Sequence, residues 1–330
     1  MSKEKPNKKD SGLDFSKLLA PAALVILFIF FSLASDTFFT MRAFMTILES
    51  SYFIAFLAMG VTFAIITGGI DLSIGAVMMC SALVGGVAYG NWGFSIWAAL
   101  FMCVVTGASF GLINGLIIAK FKMVPFVTTL GMQMVATGFG AIVSQVTTQR
   151  YPTVGTEDGI FKYVFYSYNN IPSGLIWLIG FFTLAYVLLN KTKLGRYTYA
   201  IGSNEEAARL SGVNVDKWKI FVYTLGGTFA GMAGIMFAAA YTTIVPATGA
   251  GMEILGIAAV VIGGTSLAGG VGTITGTIIG VYIMAVLRQG LMSMGLQGHY
   301  QTFFTGIVVI AAVMLDIYRN KKASQVRKKI

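Results

Sequence analysis

Long apolar runs separated by short polar joints set the pattern of this chain. No Asp, Glu, Lys or Arg occurs in residues 72–119, 123–149, 163–190, 220–252, 254–287 or 289–315. A helix that crosses the hydrocarbon core needs about 20 residues, so the longer runs hold one or two spans each. The pattern predicts helices near 18–35, 47–67, 72–90, 94–119, 123–144, 173–190, 219–240, 254–270, 274–293 and 300–317. The expectation is an all-α polytopic membrane protein of about ten transmembrane helices.

One soluble stretch interrupts the pattern, residues 191–219, reading KTKLGRYTYAIGSNEEAARLSGVNVDKWK. Within it Ser203 is placed to cap a helix, Glu206 to reach back to the Ser203 amide, and Gly212 to end the helix in a left-handed turn. Glu205 and Glu206 sit near the amino end, where the helix dipole favours negative charge, and Arg209 lies further along. So short a helix is marginal alone, since isolated helices need roughly 12 to 15 residues, and Ala207, Ala208 and Leu210 give it only a small apolar face. Either it packs on its own membrane helices or it docks on a soluble partner.

Composition agrees with the pattern. Hydrophobic residues make up 56% of the 330 and charged residues 11%, whereas a soluble domain carries about 25% charge. The net charge of +10 does not point to nucleic acid, because the basic residues are not clustered on a soluble face. Five Lys or Arg fall in 1–17, two at Lys120 and Lys122, six in 191–219 and six in 319–330. Alternating spans put these four segments on one side, and the positive-inside rule makes that side cytoplasmic, with both termini there. The expected domains are a basic tail at 1–17, one transmembrane domain over 18–318 with the loop 191–219, and a second basic tail at 319–330. The run after the first tail lacks a small-residue cleavage site and reads as a retained helix. Cys80 and Cys103 fall within predicted spans and read as small packing residues.

Small residues stripe several spans: Gly107, Gly111 and Gly115, then Gly227 and Gly231, then Gly276 and Gly280. Such spacing lets helix backbones approach closely in lipid. Two glycine-broken stretches look alike at constant offset, Gly68-Gly69-Ile70-Asp71-Leu72-Ser73-Ile74-Gly75 and Gly263-Gly264-Thr265-Ser266-Leu267-Ala268-Gly269-Gly270. Broken helices in duplicate are a transporter trait. The external loop 145–172 carries an aromatic run that reads as a membrane-surface belt or as a contact for an external partner.

Chemistry-bearing residues are few. Asp71 is the one ionisable residue between Glu49 and Lys120; it reads as an N-cap after Gly-Gly or as an intramembrane functional charge. His299 reads as interfacial, and Glu253 and Arg288 as snorkelling or paired charges near span ends. No metal-ligand spacing, nucleophile elbow or phosphate loop is present, so no ATP hydrolysis and no enzyme activity is expected of this chain.

Five stretches, taken together in order and spacing, carry a resemblance. They are Gly60-Val61-Thr62-Phe63 leading into Ile66-Thr67-Gly68-Gly69-Ile70-Asp71-Leu72-Ser73; Gly111-Leu112-Ile113-Asn114-Gly115; Pro125-Phe126-Val127-Thr128-Thr129-Leu130-Gly131; Ala200-Ile201-Gly202 on to Gly212-Val213-Asn214-Val215; and Val261-Ile262-Gly263-Gly264 on to Gly269-Gly270-Val271-Gly272-Thr273. Over about residues 40–318 the chain resembles the permease subunits of bacterial ABC importers for monosaccharides of the ribose, galactose and arabinose type. The resemblance implies a type II-like permease in the bacterial inner membrane, paired with a second copy or a paralogue. It also implies a separate cytoplasmic ATPase that binds ATP and Mg, a soluble sugar-binding protein outside, and no cofactor in this chain. The family's coupling helix falls on Ser203, Asn204, Glu205, Glu206, Ala207, Ala208, Arg209, Leu210 and Gly212, which favours the docking alternative. Departures at Arg288, Thr305 and Glu49 leave the sugar and the pairing open. For a neutral sugar the candidate path residues are Asp71, Ser73, Asn114, Thr128, Thr129, Gln133 and Gln301. The rival expectation is a self-contained transporter or channel driven by an ion gradient.

Overall fold

The apolar code produces helices almost throughout. The computed structural model describes residues 15–169 and 171–327, so most of the first basic tail and the last three residues of the second lie outside the described residues. Thirteen α-helices occur among the described residues: α1 (Phe15–Ala34), α2 (Met41–Ile66), α3 (Ile74–Gly90), α4 (Ile96–Lys120), α5 (Pro125–Val143), α6 (Ile160–Phe165), α7 (Gly174–Lys191), α8 (Lys193–Ser203), α9 (Glu205–Leu210), α10 (Val215–Tyr241), α11 (Met252–Ile262), α12 (Ile274–Ser293) and α13 (Gly298–Arg327). Each predicted span coincides with one of them. Seven, namely α2, α4, α5, α7, α10, α12 and the first part of α13, are long and apolar enough to cross a membrane. The apolar parts of α1, α3 and α11 are shorter.

Two boundaries differ from expectation. The span predicted over 254–270 ends at Ile262, where Gly263 and Gly264 stop the helix. Conversely α13 runs on to Arg327, through most of the segment expected to be a tail.

The core is built around α2 and α10. Every residue from Ser51 to Thr67 is buried, although α2 is only an apolar helix among others by composition. Its neighbours include α10, α12, α11 and α7, so no side of this stretch is left to lipid. Hydrophobicity cannot drive that enclosure in a bilayer; close packing can. The glycine stripes show how. A methyl group on Gly107 would strike Gly227 O and Gly231 N, and one on Gly111 would strike Tyr223 O, so α4 and α10 cross with their backbones in contact. Gly276 and Gly280 do the same against Gly263 and Ala259.

Outside the helices, β1 (Gln149–Arg150) pairs antiparallel with β2 (Thr243–Ile244). The aromatic loop is no belt at its centre. Tyr151, Phe161 and Phe165 are buried, Tyr151 Oη donates to Ala82 O at 2.7 Å, and Phe165 stacks on Trp177 at 4.7 Å. The loop is therefore a packed cover over the ends of α3 and α7.

The α4–α10 crossing yields a test by thermal melting in detergent. Gly111→Val should melt well below the parent, by the overpacking cost of about 1–3 kcal/mol or more. Gly131→Ala, where a methyl meets nothing within 4 Å, should melt as the parent does.

Candidate functional site

Two sites emerge, one inside the bundle and one on its surface. The first begins where α2 breaks. Residues 67–73 leave the helix yet stay mostly buried, and such backbone is tolerated at membrane depth only if its polar groups are satisfied. Gly69 N donates to Ala64 O at 3.0 Å, Leu72 N to Thr129 Oγ1 at 3.1 Å, and Ser73 N to Asp71 Oδ1 at 2.9 Å. Thr129 Oγ1 in turn donates to Ile70 O at 3.2 Å. Asp71 Oδ1 also accepts from Ser73 Oγ at 2.6 Å, and Ser73 Oγ accepts from Asn114 Nδ2 at 2.9 Å.

Asp71, Ser73, Asn114 and Thr129 thus form one buried network around the start of α3. The N-cap position of α3 belongs to Ser73 and not, as expected, to Asp71, which instead holds the turn before the helix by accepting from Ser73 N. Gln133, one turn beyond Thr129 on α5, donates to Glu253 Oε1 at 3.1 Å. The other two candidates stand apart. Thr128 Oγ1 donates to Val124 O in its own helix at 3.1 Å, and Gln301 lies in the first turn of α13. His299 is exposed, as expected of an interfacial residue.

Glu253 is the residue the sequence reading missed. Expected to snorkel or to pair near a span end, it is 6% exposed in the first turn of α11 and bonded to the neutral Gln133. The missing signal was the length of α11: at 1.5 Å per residue, 11 residues cover about 16 Å of a core about 30 Å thick.

The second site is the soluble stretch. Thr192 caps α8 by accepting from Leu194 N at 3.2 Å, and Leu194, Thr198 and Ile201 are buried at helical spacing. This helix was not predicted, though its apolar spacing was there to read. It also moves the expected cap. Ser203 ends α8, and Asn204 instead caps α9, its Oδ1 accepting from Ala207 N at 2.9 Å. Gly212 closes α9 as expected, with φ +84 and Val213 N donating to Ala208 O at 3.1 Å.

Ion pairs fix α9 to the body. Lys219 Nζ meets Glu205 Oε2 at 2.6 Å, Arg209 Nη2 lies 3.3 Å from Glu205 Oε1 and 3.2 Å from Asp216 Oδ1, and Lys122 Nζ meets Asp216 Oδ1 at 2.6 Å. Lys122 and the 191–219 stretch therefore share one side, as alternating spans require. Burial alone would raise the Glu205 carboxyl, but Lys219 and Arg209 hold it below its usual range. Lys122 and then Arg209 do the same for Asp216 against a smaller burial effect. Glu205 and Arg209 are spent within the chain, which leaves Glu206, Ala207 and Leu210 facing out. Leu210 is 89% exposed.

A backbone junction links the two sites. A methyl on Gly202, near the end of α8, would strike Ile66 O and Gly270 N. Gly270 N donates to that same Ile66 O at 2.8 Å, and Tyr199 Oη donates to Gly272 O at 2.7 Å. The end of α2, the loop after α11 and the helix leading into α9 are thus in contact. Asp316 on α13 holds that loop from the other side, accepting from Leu267 N at 3.2 Å.

A family described as branched-chain amino acid transport system / permease component matches residues 43–313. The chain belongs to this permease family. Among its relatives, the ribose import permease protein of Escherichia coli K12 is 39% identical over 307 residues, covering 91% of this chain and 92% of that one. The ribose import permease protein of Bacillus subtilis 168 is 39% identical over 303 residues, with the same coverage. The fructose import permease protein of Rhizobium meliloti is 31% identical over 315 residues, covering 92% of this chain and 88% of that one. These relatives' names speak of sugars, although the family description speaks of amino acids. The permease is a membrane protein, as its apolar helices require.

The ion pairs give the permease a pH-dependent contribution. Both carboxyls are lowered in the fold, so their stabilisation is present above the ordinary values of 4.5 and 3.8 and is lost as pH falls through the lowered ones. Partial exposure limits it to about 0.2–1 kcal/mol per pair. Asp216→Asn should speed hydrogen exchange of the α9 amides severalfold at pH 7. Its melting difference from the parent should shrink as pH drops below about 3.8.

Proposed function

We propose that this permease is the membrane subunit of a bacterial ABC importer that carries a monosaccharide of the ribose type inward across the inner membrane. In this reading the chain makes ten crossings with both ends cytoplasmic, in a type II-like arrangement. Its domains are the single transmembrane unit 18–318 and basic ends at 1–17 and 319–330. Two permeases, copies or paralogues, enclose the path. A separate ATPase below them binds ATP and Mg, and a sugar-binding protein above delivers the cargo.

One observation carries the reading. A capped six-residue helix exposes Leu210 on the basic side of a membrane protein, and it is rigidly continuous with the backbone that breaks α2 and follows α11. An exposed leucine flanked by Ala207 and Glu206 is a docking surface for a soluble partner, and the junction at Gly202 is the means of passing its movement inward. Ser203, Asn204, Glu205, Glu206, Ala207, Ala208, Arg209, Leu210 and Gly212 are the coupling residues. Glu205, Arg209 and Ala208 hold the helix, and the outward residues engage. Asp71, Ser73, Asn114, Thr128, Thr129, Gln133 and Gln301 line the path or brace it. Asp71, the carboxyl on which an ion-gradient carrier was weighed, is engaged by Ser73 through both N and Oγ.

Two measurements on the reconstituted complex test the proposal. Leu210→Asp and Glu206→Lys should each lower copurification of the ATPase about tenfold or more, whereas Gly202→Val should retain the ATPase but lose most ATP-driven sugar uptake. Sugar uptake by this chain alone, indifferent to ATP and abolished by an uncoupler, would sink the importer reading.

A further inference from the structure

Glu253 is held in a manner that its place in the fold alone does not require. Its Oε1 takes two donors, Gly251 N at 3.0 Å and Gln133 Nε2 at 3.1 Å. Its Oε2 is buried and has no hydrogen-bond partner. A buried acceptor without a donor is costly, and native structures keep few of them.

The surroundings are shaped around this carboxyl. A methyl on Gly75, in the first turn of α3, would lie 2.5 Å from Glu253 Oε2 and 2.7 Å from Glu253 N, so the absence of a side chain at 75 is what admits the group. The first turns of α3 and α11 therefore meet at Glu253, and the amino ends of helices suit an acceptor. A second buried acceptor is orphaned, since Asn114 binds Ser73, two residues before Gly75, through its Nδ2 while its Oδ1 has no partner.

Gln133 is half-buried on α5, between Leu130, Met134 and Val135, which are exposed at 37%, 72% and 56%. The open face of α5 is apolar save for Gln133 and Thr137, and the Thr137 hydroxyl is spent on Gln133 O at 2.8 Å. Gln133 thus stands between the buried carboxyl, on its Oε1 side, and an otherwise apolar wall.

We propose that Glu253, screened by Gln133, is a hydroxyl-binding subsite of the path. It accepts one or two hydroxyl donors of a passing neutral sugar and so acts as a specificity determinant within the membrane, separate from any selection by the binding protein. Donors are what its free oxygen lacks, and a sugar supplies them without charge. The inference rests on the importer reading.

The test uses the whole complex in vesicles, with ribose and 2-deoxyribose as probes loaded on the same binding protein. ATP-driven ribose uptake by the parent complex checks the importer reading by itself. Glu253→Leu should then lower the ribose uptake rate about tenfold and narrow the ratio of ribose to deoxyribose uptake. Glu253→Gln, which keeps one acceptor, should fall between. Gln133→Leu, at a more exposed position, should narrow the same ratio and keeps the test open if the Glu253 variants fail to assemble. Equal loss of both sugars at an unchanged ratio would assign the carboxyl to structure only and overturn the proposal. Parent-like uptake in all three variants would do the same.

Discussion

Non-helical backbone inside a bilayer has no water to bond, and that constraint organises this structure. The chain leaves the helix at Thr67 and does not resume it until Ile74, and along the gap the amides of Thr67, Gly68, Gly69, Leu72 and Ser73 find partners in another element or in their own turn. Thr129 serves the gap twice, receiving Leu72 N and donating to Ile70 O. The position of α5 follows, because Thr129 must reach the gap. The burial of Asn114 follows too, because Ser73 Oγ, whose hydroxyl is donated to Asp71, is left to accept from a buried donor. The break is thus a locked feature, and the small residues on α4, α10 and α12 let enough helices close around it to keep lipid away.

The surface site obeys a different economy. A six-residue helix cannot stand by its own hydrogen bonds, so Asn204 and Gly212 stop it at both ends and five charged side chains tie it down. Exposed ion pairs are each weak. Here they converge on Asp216 and Glu205 from three elements, which fixes the direction of α9 more than it adds stability. A docking helix needs direction, because force applied to it must reach Gly202 and the two breaks rather than bend the loop.

Much of this was legible in the sequence. The apolar runs located the long helices, the glycine stripes marked α4 and α10 as close-packing helices, and the motif order named the family. The failures share one cause, which is that letters report local preference and these features depend on what lies opposite. Ser203 is a good cap by composition, yet Leu194, Thr198 and Ile201 bury α8 so fully that the helix runs through Ser203 and leaves the cap to Asn204. Glu253 looked like a boundary charge because a helix of full length was assumed. Only the neighbour at Gly75 shows that its helix starts inside the bundle. Gln301 shares no element with the buried network, and polarity alone could not have excluded it.

The two glycine-broken stretches sharpen the same lesson. Matched by their letters, Gly68 pairs with Gly263. Matched by backbone, the left-handed position after α2 is Gly68, at φ +81, and the one after α11 is Gly264, at φ +91, one residue out of step. What they share is a helix stop, which glycine supplies wherever a helix must end sharply. Beyond it they diverge: the first gap resumes helix at Ile74, whereas the second makes a longer loop to Ile274. In that longer loop Gly269 packs against Gly68 and Gly270 bonds Ile66 O. The second stretch therefore meets the first through Gly269 and Gly270, beyond its helix stop, and the shared letters mark different jobs: glycine ends both helices, and glycine again admits the close backbone contact at Gly68.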